Sequence, residues 1–531
     1  MLKIVPLIIW LMVGACLPWV QGAERTNSID TIVLSALKAK RIPPSDRCTD
    51  EVFIRRVFLD TIGTLPSPGE VRRFLADQDP AKRDKCIDLL LQRPEFAEYL
   101  GLKWGDLLRI KSEFPSNLWP NAVQTYDRWV RESFRANKPY DQFVRELLTA
   151  SGSNFRAPPA NFYRAFQDRS PRPIADNVAL VFMGVRLSAL GLSESQLLGF
   201  SAFFAKIGYK GTDEWKEEIV FFNPDGKLVN PADGKPVKPM ALDGRVFDIP
   251  ADQDPRAVFA HWLTAPENPW FARALVNRTW YWLLGRGIVH EPDDMRTSNP
   301  PWSPELLTFL EKEFVGHQFD IKPIYRLILT SRVYQFSSVP NRRNASDGSG
   351  FSHYRIRRIE AEPLLDAINQ ITGSGDKYTS SIPEPFTFLP DDQRAISLAD
   401  GSIELPFLEL FGRPSRNTSY ESERVSAPSV FQAQHLLNSS HIQKKIEKSW
   451  VIRQLITARE KAIAKPDAQV LKQENQKLIE ELYLRVLSRF PSAPESEIAE
   501  SYLTSPKRNF NDSVNDLAWA LMNSKEFILK H

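Results

Sequence analysis

Residues Asp254–Pro301 limit what this chain can fold into more than any other stretch. From Trp270 to Leu284 almost every side is apolar: Trp270, Phe271, Ala274, Leu275, Val276, Trp280, Tyr281, Trp282 and Leu283. A helix that is apolar all round belongs in a core. Asn268 is an N-cap residue type and Pro269 suits the first helical position, where its missing N–H costs nothing. Gly285 is the expected stop. Arg273, Asn277, Arg278 and Thr279 interrupt the apolar surface, and buried polar groups must find partners. The loop that follows supplies Glu291, Asp293, Asp294 and Asn299. The stretch predicts a polar network locked into a large aromatic core.

The 531 residues are enough for two or more domains, and 13 Trp with 32 Phe can fill large cores. Before residue 210 the apolar spacing reads as helices with short connections, as in a bundle. Glu218–Phe222, the turn Asn223–Gly226 and Lys227–Val229 read as strand, turn, strand. Helical patterns resume at the opening stretch, including one over Gln443–Ala464. The expected fold is mainly α, a multi-helix two-domain architecture with a small β-hairpin-rich insert between the helical parts. Its divisions are a targeting segment (1–23), a helical domain (24–210), the insert (211–250) and a second helical domain (251–531). The two ends echo each other. Phe58–Ile62 with Pro66-Ser67-Pro68-Gly69-Glu70 resembles Tyr483–Leu487 with Pro491-Ser492-Ala493-Pro494-Glu495, and a Glu-Phe pair follows each (Glu95-Phe96, Glu526-Phe527).

Charge and thiols bound the setting. With 68 basic and 65 acidic residues interspersed, there is no footprint for nucleic acid. Lys3 followed by apolar Ile4–Ala15 reads as an export signal too short to span a bilayer, and no later stretch reads as a transmembrane span. Two exits stay open: a lipobox-like Val13-Gly14-Ala15-Cys16, leaving Cys16 lipidated, or ordinary cleavage near Gly22 or Ala23. The expected location is extracytoplasmic, in the periplasm or at the cell surface. Cys48 and Cys86, the two other thiols of an exported chain, are expected to form a disulfide; two buried free thiols are the alternative.

Several long motifs resemble one bacterial extracytoplasmic pairing. They are Arg55–Asp77, Lys103–Ile110, Lys138–Phe143, Asn268–Val289, Asn299-Pro300-Pro301, Arg357–Ile368 and Phe411-Gly412-Arg413-Pro414. Together they resemble the planctomycete-type surface cytochrome-associated domain followed by the planctomycete surface domain. The resemblance implies surface or periplasmic placement and no established reaction. Relatives carry a Cys-x-x-Cys-His stretch where this chain runs Gly184–Ser193, and a Cys-x-Cys-Glu-Arg stretch where it has Tyr420-Glu421-Ser422-Glu423-Arg424. Loss of both implies that the two stretches meet in space, and that no cofactor is held there.

None of the seven His falls at a strong metal-ligand spacing, and His290 with Glu291, Asp293 and Asp294 matches no defined metal motif, so no metal is expected. Nucleophile, Walker and Rossmann motifs are missing from the sequence. Candidate ligand-binding residues are Asn277, Arg278, Arg296, Asn299, Arg357 and Arg358; Asp293 and Asp294 are the candidate acid and base. The competing reading has Arg278 paired with Asp293 or Asp294, riveting the loop to the helix. The expected function is a polysaccharide-linked binding or scaffold protein, with polysaccharide or a surface protein as partner. The alternatives are a hydrolase of sulfated or acidic glycans and a redox partner that has lost its Cys/His site.

Overall fold

The structure is a computed structural model that describes residues 27–463 and 468–531. The expected targeting segment, with Cys16, lies outside the described residues. Among the described residues no helix is long and apolar enough to cross a membrane.

Helices dominate, joined by short connections through the first half: Ser28–Ala39, Asp50–Thr61, Pro68–Ala76, Lys82–Gln92, Pro94–Leu107, Pro120–Arg135 and Tyr140–Leu148. Local chemistry sets their starts. Pro opens Pro68–Ala76, Pro94–Leu107 and Pro120–Arg135, and the Ser67 hydroxyl and Glu70 carboxylate cap each other's backbone N–H. The β content is small. Glu218–Phe222 pairs antiparallel with the upstream strand Ile207–Gly211 and with Gly152-Ser153. The hairpin thus uses residues before the expected strand, and Lys227–Val229 contributes one isolated bridge, Val229 to Pro236. Five paired residues on the upstream side outcompete a three-residue downstream run.

Two apolar cores form. The larger is built mainly from Ile29 to Tyr354, with Ala399 and Leu484, and draws on both sides of the β segment; the smaller is built mainly from Ile359 to Phe527. Helix Asp50–Thr61 lies between them, sending Phe53 and Val57 into the first and Leu59 into the second. Three of its polar residues, Arg55, Arg56 and Asp60, are buried and reach distant chain. Arg55 donates to the carbonyls of Val486 (2.9 Å) and Phe527 (2.6 Å), and Arg56 to those of Tyr334 (2.6 Å) and Phe336 (3.0 Å). Asp60 accepts from Arg357 and Lys530, both at 2.9 Å, and from the hydroxyls of Tyr334 and Tyr354.

The echo between the two ends is structural. Gly63 and Ser488 occupy the same turn position with φ of 62° and 59°. Ser67/Glu70 and Ser492/Glu495 are both capping boxes. In each copy one arginine clamps the capping glutamate and the later Glu of the Glu-Phe pair: Arg93 to Glu70 and Glu95, Arg489 to Glu495 and Glu526. That arginine also covers the equivalent ring, Arg93 over Phe58 at 5.6 Å and Arg489 over Tyr483 at 5.5 Å. The two arginines enter from different points of the chain, so the same wiring is reached by two routes.

The thiols correct an expectation. Cys48 is buried, Cys86 half-buried, and both are free. The Arg83 guanidinium lies against the Cys48 sulfur at 3.9 Å while donating to the Cys48 carbonyl, whereas burial pushes the Cys86 thiol up to about 12, with Glu70 adding to the rise. Each sulfur has its own packing, and neither needs the other.

Candidate functional site

Helix Phe271–Leu284 is the buried helix expected, ending at Gly285 with φ 76°. It begins later than Pro269 because Asn268 spends its side-chain oxygen on the N–H groups of Trp270 (3.0 Å) and Phe271 (3.1 Å), capping the turn ahead of the helix. Asn277 and Arg278 are 0% exposed. Asn277 exchanges two hydrogen bonds with the backbone of Val289, at 3.0 and 2.9 Å, pinning the loop exit. Arg278 donates to the carbonyls of Val181 (2.6 Å) and Leu180 (3.1 Å) and to the Asp293 carboxylate (2.9 Å). Its Nε faces Glu421 at 3.4 Å.

Asp293 is as deeply buried as Arg278, and its second oxygen accepts the Glu421 backbone N–H at 2.8 Å. Glu421 in turn accepts from the Trp282 indole at 3.0 Å. Burial and the neighbouring Asp293 charge push the Glu421 carboxyl up to about 7, against the pull of Arg278. Arg278, Asp293 and Glu421 therefore form a sealed charged knot with no open face for a substrate. Asp294 pairs outward with exposed Arg296 at 3.2 Å. Asn299 braces the loop through the carbonyls of His290 and Asp294.

The two stretches that lack thiols meet beside this knot. The Arg186 guanidinium lies 5.0 Å from the centre of the Tyr420 ring, and Asn177 donates to the Ser419 hydroxyl at 2.7 Å. The Met295 N–H closes the third side on the Gly184 carbonyl. A second buried charge cluster continues behind it. Lys103 meets Glu360 at 2.5 Å, and Arg424 bridges Glu362 and Asp106, each at 2.6 Å. Burial opposes ionisation of Glu360, but Lys103, Lys530 and Arg424 outweigh it and hold its carboxyl well below the usual range.

Arg357 and Arg358, expected as ligand-binding residues, are consumed internally. Arg357 donates to the carbonyls of Trp282 and Leu283 and to Asp60; Arg358 donates to those of Ile359, Phe411 and Val425. Strand 357–358 runs across the exposed carbonyl end of helix Phe271–Leu284, and a long guanidinium is the side chain that can satisfy it.

An open site lies elsewhere, in a cleft of about 770 Å³. One wall is Asn369–Gly375 with Trp450, a second is Ser67, Glu70, Arg93 and Glu95, and a third is Asp391–Arg394. Trp450 is 54% exposed and held flat by its indole N–H on the Gly373 carbonyl at 2.6 Å. Position 373 must be glycine: φ is 66°, and a Cβ there would lie 2.1 Å from the indole nitrogen. Behind this wall the Lys445 ammonium is fixed by Asn369 (2.7 Å), the Gly375 carbonyl (2.9 Å) and Asp376 (3.0 Å), and Asp376 also binds His441 at 2.7 Å. The wall is therefore preorganised. Asp366, at the cleft's floor, is pushed up to about 6 by burial against the pull of Arg394, but both its oxygens accept backbone N–H groups, from Ala395 and Ile396. Among the described residues no group of three or more His, Cys, Asp or Glu is placed to hold a metal ion.

Trp450, Asp391 and Asp392 were not singled out from the sequence. The one available signal was Ser449, an N-cap residue inside what reads as a continuous helix; the helix breaks there and a new one starts at Trp450.

Two family models match the chain. Residues 28–188 match PSCyt2, a protein of unknown function (DUF1549), and residues 255–503 match PSD1, a protein of unknown function (DUF1553). No curated protein and no solved structure matches it. The knot ties the segments together, since Arg278 lies in the second and its carbonyl partners Leu180 and Val181 in the first. The cleft too takes walls from both, Glu70 and Arg93 from one, Asn369 and Trp450 from the other. The chain thus matches the planctomycete-type surface cytochrome-associated and surface-domain families, PSCyt2 followed by PSD1, each a family of unknown function.

Proposed function

We propose that this is an extracytoplasmic glycan-binding protein whose binding site is the cleft at Trp450. One observation carries the reading. The cleft joins an exposed indole, on a rigid wall, to the Gln370 amide beside it and to the carboxylates of Asp391 and Asp392 on a facing wall. A sugar ring has an apolar face to lay on an aromatic surface and hydroxyls that need donors and acceptors at its edge. Binding is favoured over hydrolysis because the acids with raised or sealed carboxyls are committed to the fold: Asp366 caps backbone, Asp293 is inside, and Glu421 is held by Arg278 and the Trp282 indole. Export follows from the leader-like first residues, and lipidation at Cys16 would hold the protein at a membrane surface.

The test is a glycan array with the wild-type protein and Trp450→Ala, alongside turnover assays on the glycans that score. Saturable binding lost in Trp450→Ala, without turnover, is the expected result. Binding that survives the substitution, or release of product, would count against the proposal.

A further inference from the structure

We propose that the cleft is one end of an extended track for a neutral polysaccharide chain, which continues along residues 386–394 to a platform of three aromatic rings. The proposal rests on the glycan reading of the cleft.

The platform is assembled from three separate parts of the chain. Trp119 precedes helix Pro120–Arg135, Trp215 sits between the two long β-strands, and Phe386 lies in the loop that also carries the third cleft wall. Trp119 meets Trp215 at 6.3 Å and Phe386 at 5.3 Å, centre to centre and edge to face, so the rings present successive faces and not one plane. Lys216 lies over both indoles, at 4.9 and 5.2 Å. Trp215 is 66% exposed, so this is surface and not core. Burying such a cluster of rings against a ligand would be favourable.

A hollow on the same loop as Phe386 borders the cleft. Phe388, 70% exposed, lines this hollow of about 220 Å³, whose other wall includes Gln393. Gln393 also lines the cleft. The eight residue steps from 386 to 394 cap the distance at about 29 Å, within reach of a chain of several sugar units.

Charge narrows the ligand. Asp391 and Asp392 lie toward the cleft end, Arg394 beside them and Lys216 at the platform. Neither a polyanion nor a polycation meets one sign of charge along this path, so a neutral chain fits it.

The test is calorimetric titration with length-graded cello-, xylo-, manno- and malto-oligosaccharides, using the full chain, Trp215→Ala, Phe386→Ala and Trp450→Ala. Circular dichroism confirms folding of each variant. In at least one series the affinity is expected to rise about tenfold or more with chain length. Trp215→Ala and Phe386→Ala should abolish that gain and leave binding of the shortest ligand unchanged, whereas Trp450→Ala should weaken every length. Short ligands that bind with no gain from length would overturn the track and leave the cleft reading standing. A length gain that survives Trp215→Ala and Phe386→Ala would also overturn the track. No binding in any series would overturn both, and tighter binding of a sulfated dextran than of any neutral chain would overturn the neutral-chain assignment.

Discussion

Replacing Arg278 by Ala should unlock the centre of the molecule. In the folded protein Arg278 satisfies two carbonyls from the first half, at 2.6 and 3.1 Å, and neutralises Asp293 at 2.9 Å inside a site with no exposure. The substitution leaves Asp293 buried without its cation, and removing one partner of such a pair costs roughly 3–5 kcal/mol. The two orphaned carbonyls belong to the same site, so their cost does not simply add. Urea unfolding followed by tryptophan fluorescence reads the change, since Trp280 and Trp282 sit on the same helix. The partner substitution Asp293→Ala should cost a similar amount, and the double mutant should cost less than the sum by roughly 0.5–3 kcal/mol. An unchanged unfolding midpoint for Arg278→Ala, or strict additivity with Asp293→Ala, would refute the claim that the knot holds the halves together.

Other outcomes follow from the same chemistry. Glu421 has a folded-state pKa of about 7 against an ordinary 4.5, so its contribution to stability is fully present below about 4.5 and is lost as pH rises through about 7, up to roughly 3 kcal/mol. Glu421→Gln should therefore gain stability relative to wild type as pH rises from about 5 to 8, and a constant difference between the two across that range would contradict it. Cys48 and Cys86 should titrate as two thiols in denatured protein, whereas in the folded protein Cys86 should resist alkylation near neutral pH because burial raises its pKa to about 12; a mass showing a disulfide would contradict this. Gly373→Ala should weaken glycan binding much as Trp450→Ala does, because the new Cβ displaces the indole; equal binding by Gly373→Ala and wild type would show that the indole's seat is unimportant.

The parts of the fold legible in the sequence were those set by neighbours along the chain. The apolar wrap of Phe271–Leu284 and the proline and capping signals of the first helices gave the right elements, because burial pattern and cap chemistry are local. Arg278 could be matched with the loop acids for the same reason, since Asp293 is close in sequence. Its other partners, Leu180 and Val181, come from a distant helix and leave no mark near residue 278. That long-range closure is what turns a candidate binding site into a sealed one. Strand pairing failed similarly: Glu218–Phe222 was recognisable, but its choice of Ile207–Gly211 over Lys227–Val229 is a tertiary decision. The cleft was invisible because its walls come from six separated segments, and only the cap residue Ser449 hinted at the turn that presents Trp450.

Hydrogen–deuterium exchange with and without a saturating array-positive glycan tests the central claim most directly, that ligand binds the cleft while the Arg278 knot is structural. Added protection is predicted in the peptides covering residues 369–375, 389–394 and 449–451, with none in those covering residues 277–299. Protection confined to residues 277–299 and 420–424 would contradict the account and return the ligand to the knot.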